Sequence, residues 1–425
     1  MMERTVGFDK WFFRNENKII TNIIQLLSIN TMTPNEYKVY GFIEDYLKKI
    51  GFYVEKRQFA EKIIKHQHFV SYKGFDLKKR YNLCATSHIN NNFKSKTIFN
   101  VHLDIVPPCT NQMITYSIRN IKNENIYGRG ACDTKTNLII LCEAIRFLQE
   151  NNITRTKAVE MHLVSEEEKT GNGTLSLVLD NVYANEVIVM EPTGLELFKG
   201  HRGCLTVNIE TFGDSVHMGS LQKQHSAIDR ALQIVKLLKK MEIDMVEEVK
   251  EKQDFLNWKN AIKINIGKIS GGEWAGSVPE KCEVECNIGF IPKYSVEDMK
   301  EKIKSYCFNQ DNNKTTKYCR ITFGGLKNNA YIEKGTSLLL KSINMCGIKQ
   351  NDVLGWNVSC DAHLYHDIAK LPTYIWGCGK LEDAHSAHEK VSLNEIKTGI
   401  SILANYLSTY NNSREEFPTV FYCQA

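Results

Sequence analysis

The chain has 425 residues, more than one average domain needs, which predicts two. Apolar residues make up 42% of it and charged residues 24%, enough for a packed core and an ordinary soluble charge content. The net charge of +5 is spread over both signs with no long Lys/Arg block, which argues against nucleic acid as a partner.

The first residues, MMERTVGFDKWFFRNENK, are charged, and no small-residue cleavage site follows a long apolar core, so no secretory signal is expected. Ile19 to Ile29 is interrupted by Thr21, Asn22, Gln25 and Ser28. It reads as one face of an amphipathic helix, too short to span a bilayer, and no membrane association is expected. Residues 17–50 read as helices ending at Gly51, with Tyr37, Val39, Tyr40, Phe42, Ile43, Tyr46 and Leu47 on one face of the second. A β-type run follows over 51–59. From residue 95, strands and helices alternate: strand 97–102, helix 134–150, strand 157–165, a helix opening at 175–179, strand 186–191. That order predicts an α/β fold with a mainly parallel sheet flanked by helices.

The pattern then changes. Strand 204–212, helix 226–241, strands 261–269 and 281–290 around the turn at Gly271 and Gly272, helix 295–307 and strand 317–323 give βαββαβ, the split ferredoxin-like unit. Ser295-Val-Glu-Asp298 opens its second helix with a capping pattern, and Gly324 and Gly325 are expected to close its last strand. The predicted division is therefore a discontinuous catalytic domain of 1–202 and 326–425, with an inserted α+β domain at 203–325. The first pattern resumes with a strand at 373–376 and a helix at 393–407. The 13 cysteines are scattered, with no CxxC pair, and Cys282 and Cys286 share one face of a strand. They read as buried small apolar residues in a reducing, cytoplasmic compartment.

Acidic and histidine residues recur where predicted strands end, the place where open α/β sheets bind ligands. The segments are Val101-His-Leu-Asp-Ile-Val-Pro107, Ser165-Glu-Glu-Glu168, Val189-Met-Glu-Pro-Thr193 and Asp383-Ala-His-Ser386, joined by the glycine turn Gly128-Arg-Gly-Ala-Cys-Asp133. Two imidazoles and three carboxylates suit zinc, which takes N and O ligands at about 2.0–2.2 Å. Two ions sharing one carboxylate would leave each three protein groups, as in hydrolytic sites whose ions lie roughly 3.5–4 Å apart.

Over nearly its whole length the chain resembles the M20 family of metallopeptidases and deacylases, which includes acetylornithine deacetylase, succinyl-diaminopimelate desuccinylase, aminoacylase and carboxypeptidase G. His-Leu-Asp-Ile-Val-Pro is similar to the family's HxDxVP, Gly-Arg-Gly-Ala-Cys-Asp-Thr-Lys to GRGxxDxK, and Glu-Glu-Glu-Lys-Thr-Gly-Asn-Gly-Thr to DEExGxxGT. Met-Glu-Pro-Thr and Ala-His-Ser match its remaining ligand segments. The resemblance implies that Asp133 bridges two divalent ions, most simply Zn2+, with Co2+ or Mn2+ as alternatives. It implies that His102 and Glu191 complete one ion, and Glu168 and His385 the other. Asp104 would orient the His102 imidazole, and Glu167 would be the general base. Aligned through Gly171 and Gly173, Glu166 takes the place of the family's Asp, whereas a one-residue slip would make Glu166 the base. His217 is similar to the family histidine that stabilises the tetrahedral oxyanion, often from a partner subunit. A cis peptide is implied between Asp133 and Thr134.

Departures from the family pattern concern the substrate. Cys360-Asp-Ala-His363 stands where the family often has Thr-Asp-Ala-Arg to hold a substrate carboxylate. A histidine grips one less firmly, so either the substrate lacks it or another group such as Arg202 holds it, and Arg202 and His363 are the expected substrate-binding residues. Gly276-Ser277 precedes Val278-Pro279 where Asn is frequent. The resulting expectation is a cytoplasmic di-zinc amidohydrolase that removes an acyl group from an N-acyl amino acid or related amine, as acetylornithine deacetylase does. It would use a metal-activated hydroxide, with a homodimer formed through the inserted domain. A dipeptidase or carboxypeptidase of the same family is the nearest alternative, and a non-catalytic binding protein of this fold the more distant one.

Overall fold

The computed structural model describes residues 2–87, 93, 95–109, 124–221, 224–249, 254–255, 257–308 and 318–408. The chain divides into two compact units, one of 1–199, 333–353 and 364–425, the other of 200–332 and 354–363. The expected inserted run of 203–325 falls within the second unit, which begins and ends a few residues further out and also takes in 354–363.

The first unit is built on a six-stranded sheet, in the order Phe52–Gln58, Tyr81–Ser87, Lys157–Val164, Ser95–His102, Glu186–Val189, Thr373–Ile375. The last four strands are parallel and the first two run antiparallel to their neighbours. Strand Tyr81–Ser87 lies outside the sequence expectation. It does not alternate, because it is buried on both faces inside the sheet, and Leu83, Cys84 and Ala85 are all in the core. Helix Lys135–Glu150 is likewise buried nearly all round. It packs against the sheet and against two further helices, Met2–Leu27 and Leu393–Ser408. The N-terminal helix therefore starts well before residue 17, with Phe8, Trp11 and Phe12 anchoring its first turns in the core.

Parallel register decides where the loops emerge. His102 lies opposite Val164, Asn100 opposite Val189, and Val189 opposite Ile375. The ends of these four strands therefore share one rim of the sheet, and the segments after them leave from that rim.

The second unit holds a four-stranded antiparallel sheet in the order Cys319–Asn328, Gly203–Phe212, Lys281–Phe290, Lys263–Gly271. Helices Ala227–Glu247 and Val296–Phe308 complete βαββαβ. Val284, Cys286 and Ile288 point into its core, while Glu283 and Glu285 are exposed. Ser226 caps the first helix through the Asp229 amide. The second has a reciprocal cap: the Ser295 hydroxyl accepts from the Asp298 amide at 3.1 Å, and the Asp298 carboxylate accepts from the Ser295 amide at 2.8 Å. Gly324 and Gly325 do not end the last strand as expected. They form a bulge between Phe323 and Lys327, after which pairing resumes to Asn328. Gly325, at φ +67°, supplies the left-handed residue that the bulge requires. Lys317 lies outside the described residues.

All described cysteines are free thiols, and all but Cys109 are buried. Among the described residues, no helix is long and apolar enough to cross a membrane.

Candidate metal centre

Five side chains of the first unit converge at the rim. His102 is the last residue of its strand, Glu168 follows the Lys157–Val164 strand, and Glu191 follows Glu186–Val189. Asp133 precedes helix Lys135–Glu150, and His385 lies in the loop after Thr373–Ile375. The Asp133 loop turns at Gly130 (φ +85°), where a Cβ would sit 3.0 Å from Ile105 Cγ2. Thr134 Oγ1 then donates to the Met190 carbonyl at 2.7 Å, tying the start of the helix to the segment that carries Glu191. The Asp133–Thr134 peptide is cis, as the resemblance implies.

Potential ligand atoms of His102, Asp133 and Glu191 lie within 4.8 Å of one another, and so do those of Asp133, Glu168 and His385. His102 Nε2 is 2.9 Å from Asp133 Oδ1, His385 Nε2 is 3.1 Å from Asp133 Oδ2, and His385 Nε2 is 3.0 Å from Glu168 Oε1. Asp133 thus turns one oxygen to each imidazole. The first triad is buried throughout, whereas the second includes His385, whose side chain is 50% exposed.

The charges explain why such a cluster suits cations. Burial raises the Glu168 carboxyl and the neighbouring Asp133 charge raises it further, so its negative form lacks full compensation. Burial opposes the charged ring of His102, yet hydrogen bonding to Asp104 and Asp133 holds it well above its usual range. Hydrogen bonds to Asp133 and Glu168 push His385 up to about 10. Burial would raise Asp133 too, but its contacts with the two imidazoles bring it below the usual carboxylate range. Three carboxylates facing two imidazoles, all N and O donors, with one carboxylate shared, fit two divalent ions with three protein groups each.

Asp104 touches both the His102 ring and the Glu167 loop. His102 Nδ1 lies 3.1 Å from the Asp104 backbone carbonyl and 3.7 Å from its carboxylate. The carboxylate also accepts from the amides of Glu167 and Glu168, at 3.1 and 3.0 Å. It orients the loop that carries the expected base more directly than it orients the ring. Glu166, at φ +69°, turns away into the core. Its carboxylate accepts from Tyr72 at 2.7 Å, Thr170 at 2.8 Å and Asn172 at 3.2 Å, and pairs with Arg80. Arg80 also donates to Glu36 at 2.7 Å. Glu167 remains half-buried beside the triads.

His217, Arg202 and His363 belong to the second unit. His217 is exposed in a turn, where its Nδ1 accepts from the Gly219 amide at 3.1 Å. Arg202 is half-buried against Gly289, where an added Cβ would meet Nη1 at 2.7 Å, and burial lowers its pKa. His363 is buried, its ring 5.9 Å from that of His201.

Arg80, Tyr72, Glu36 and Glu389 lie outside the sequence reading. Arg80 and Tyr72 sit in a stretch with no periodic signal. Glu389 stands four residues after His385, and Arg129 lies inside the glycine turn, so proximity to motif residues was the only signal for this pair.

The sequence profile of peptidase family M20/M25/M40 matches residues 98–409. A Trichophyton verrucosum protein described as "Probable carboxypeptidase" is 26% identical over 404 residues, covering 88% of this chain and 81% of its own length. A Staphylococcus aureus protein described as "Probable succinyl-diaminopimelate desuccinylase" is 25% identical over 235 residues, covering 50% of this chain and 58% of its own. The solved structure of a dipeptidase from Saccharomyces cerevisiae superposes with a TM-score of 0.77 at 14% identity, covering 98% of this chain and all of that one.

Proposed function

The chain belongs to peptidase family M20/M25/M40, and from that premise we propose that this hydrolase cleaves an amide whose leaving amine is an amino acid, at a site for two divalent cations. The observation that carries the reading is the sharing of Asp133 between two three-residue groups at one rim. Zinc suits this donor set, and cobalt or manganese would be accepted by the same ligands. When bound, the cations supply Lewis acidity at neutral pH to water and to the scissile carbonyl.

The chain's own groups do the remaining work. Glu167 takes a proton from the attacking water and returns it to the leaving nitrogen. Two facts favour it over Glu166: both oxygens of Glu166 are already held by buried donors, and the amide of Glu167 is fixed by Asp104. His217 stabilises the oxyanion, a role supported by the resemblance and by its exposed ring. Arg202 is the better candidate for a substrate carboxylate, because a guanidinium grips it with two hydrogen bonds, and His363 is the second.

Two substrate classes share this chemistry. An N-acyl amino acid is the first. A peptide cut at its C-terminal residue is the second, favoured by the carboxypeptidase-described relative that matches 88% of the chain. In the second unit, strand Lys263–Gly271 ends the sheet and exposes Ile269, and helix Ala227–Glu247, which packs against it, exposes Leu232 and Ile243. These features support a homodimer through this unit, and the free, mostly buried thiols support a cytoplasmic setting.

The test is a screen of N-acyl amino acids against dipeptides and longer peptides, with metal analysis of the same sample. Turnover of either class with two metal equivalents is expected. Metal-loaded protein inert towards the whole panel would return the chain to a binding role. His102→Ala is expected to lower metal content, and an unchanged stoichiometry would remove it from the ligand set.

A further inference from the structure

We propose that Glu389, paired with Arg129, is a positioning residue that sets Asp133 and His385 for the second cation and so governs how tightly that cation is held. The inference rests on the two-cation reading above. Glu389 is 1% exposed. One of its oxygens accepts from three successive-loop amides, those of Gly130 at 2.9 Å, Cys132 at 3.3 Å and Asp133 at 3.3 Å. The other accepts from Arg129 Nη1 at 2.5 Å. The Glu389 backbone carbonyl also accepts from the Gly128 amide at 3.1 Å. One residue therefore fixes the entire turn that delivers the bridging carboxylate.

Arg129 extends this hold. Its Nη2 reaches the backbone carbonyls of His385 and Pro107, each at 3.4 Å. The segments carrying Asp133 and His385, and the one following His102 and Asp104, are thus joined through one buried ion pair. Glu389 is not a cation ligand in this arrangement. Both its oxygens are committed to N–H donors, and it belongs to neither three-residue group. A carboxylate buried this deeply is tolerated because amides and a guanidinium satisfy it.

The two triads depend on this hub unequally. His102 and Glu191 leave the ends of core strands, and the Pro107 tie falls five residues beyond His102, so Asp133 is the one first-triad ligand carried on the turn and loop that the hub holds directly. The second draws both Asp133 and His385, and His385, at φ +58°, has a half-exposed side chain on the loop that Arg129 holds. Loosening the hub therefore falls twice on the second triad and once on the first.

The test is a competition titration of apo protein with zinc against a chromogenic chelator, comparing wild type, Glu389→Gln and Arg129→Lys. Glu389→Gln keeps size and one acceptor but loses the ion pair, and Arg129→Lys keeps the charge but loses the forked reach. In the variants the first zinc is expected to bind as in wild type and the second roughly 10–100-fold more weakly. Activity is expected to return when zinc is raised to saturate that step. Equal weakening of both steps, or no weakening of either, overturns the proposal. If Glu389→Gln does not fold, Arg129→Lys decides by the same readout. Wild type that takes up fewer than two zinc ions would instead defeat the two-cation reading itself.

Discussion

Three consecutive glutamates have three different fates. Glu166 is buried among Arg80, Tyr72, Thr170 and Asn172, Glu168 faces His385, and Glu167 is left between them with its amide on Asp104. Glu167→Gln is expected to lower kcat by roughly 10²–10⁴-fold with two metal equivalents retained, because it removes only the proton transfer. Steady-state kinetics with metal analysis checks this. Glu166→Gln leaves the buried Arg80 guanidinium with Glu36 as its one remaining carboxylate, and is expected to cost about 3 kcal/mol of stability in urea unfolding. If Glu166→Gln were stable and inactive while Glu167→Gln turned over normally, the alignment would have to slip by one residue. The five converging side chains were legible in the sequence because each lies within a short motif. The Arg80 pair was not, because 86 residues separate Arg80 from Glu166 and nothing local marks either as the other's partner.

Elements carry their own charge chemistry. In the Lys157–Val164 strand, His162 is fully buried, and burial lowers its pKa. It donates from Nε2 to Glu160 at 2.8 Å and accepts at Nδ1 from the Tyr365 hydroxyl at 2.7 Å. Lys96 is also paired with Glu160. Burial raises Glu160, yet the His162 hydrogen bond and Lys96 outweigh it and bring the carboxyl down to about 2 from its ordinary 4.5. The folded carboxylate therefore holds its proton less tightly than the unfolded one. Its stabilisation is present above pH 4.5 and is lost as the pH falls towards 2. His162 adds to the loss below its ordinary 6.5, since the unfolded chain takes up that proton more readily. Urea unfolding across this range should show the acid limb of the stability curve flatten in Glu160→Gln, by on the order of 3 kcal/mol over the lower window. Elements with one buried face were legible from their periodicity, as Lys281–Phe290 shows. Those buried on two faces, such as Tyr81–Ser87, carried no period to read.

At the scale of the molecule, the switch from alternating strands and helices to βαββαβ marked the second unit, but its return stretch 354–363 had no such signature. That stretch is short and pairs through isolated bridges, Phe255 with Gly355 and His201 with Trp356, so its membership depends on contacts distant in sequence. If this unit dimerises, sedimentation at micromolar concentration gives twice the chain mass, and Leu232→Asp with Ile243→Asp shifts it to the single-chain value, since both side chains are about half exposed. A wild-type monomer with full activity would exclude both the dimer and a role for His217 supplied from another subunit.

Cys109 gives a practical handle on this arrangement. Its thiol is the one described sulfhydryl not buried, and it lies 3.4 Å from the carbonyl of His385 and 3.7 Å from Arg129. In a Cys423→Ser background, a maleimide fluorophore should couple there first. Its emission would then follow the titration of zinc beside the neighbouring imidazole in real time, a step that d10 zinc does not itself report.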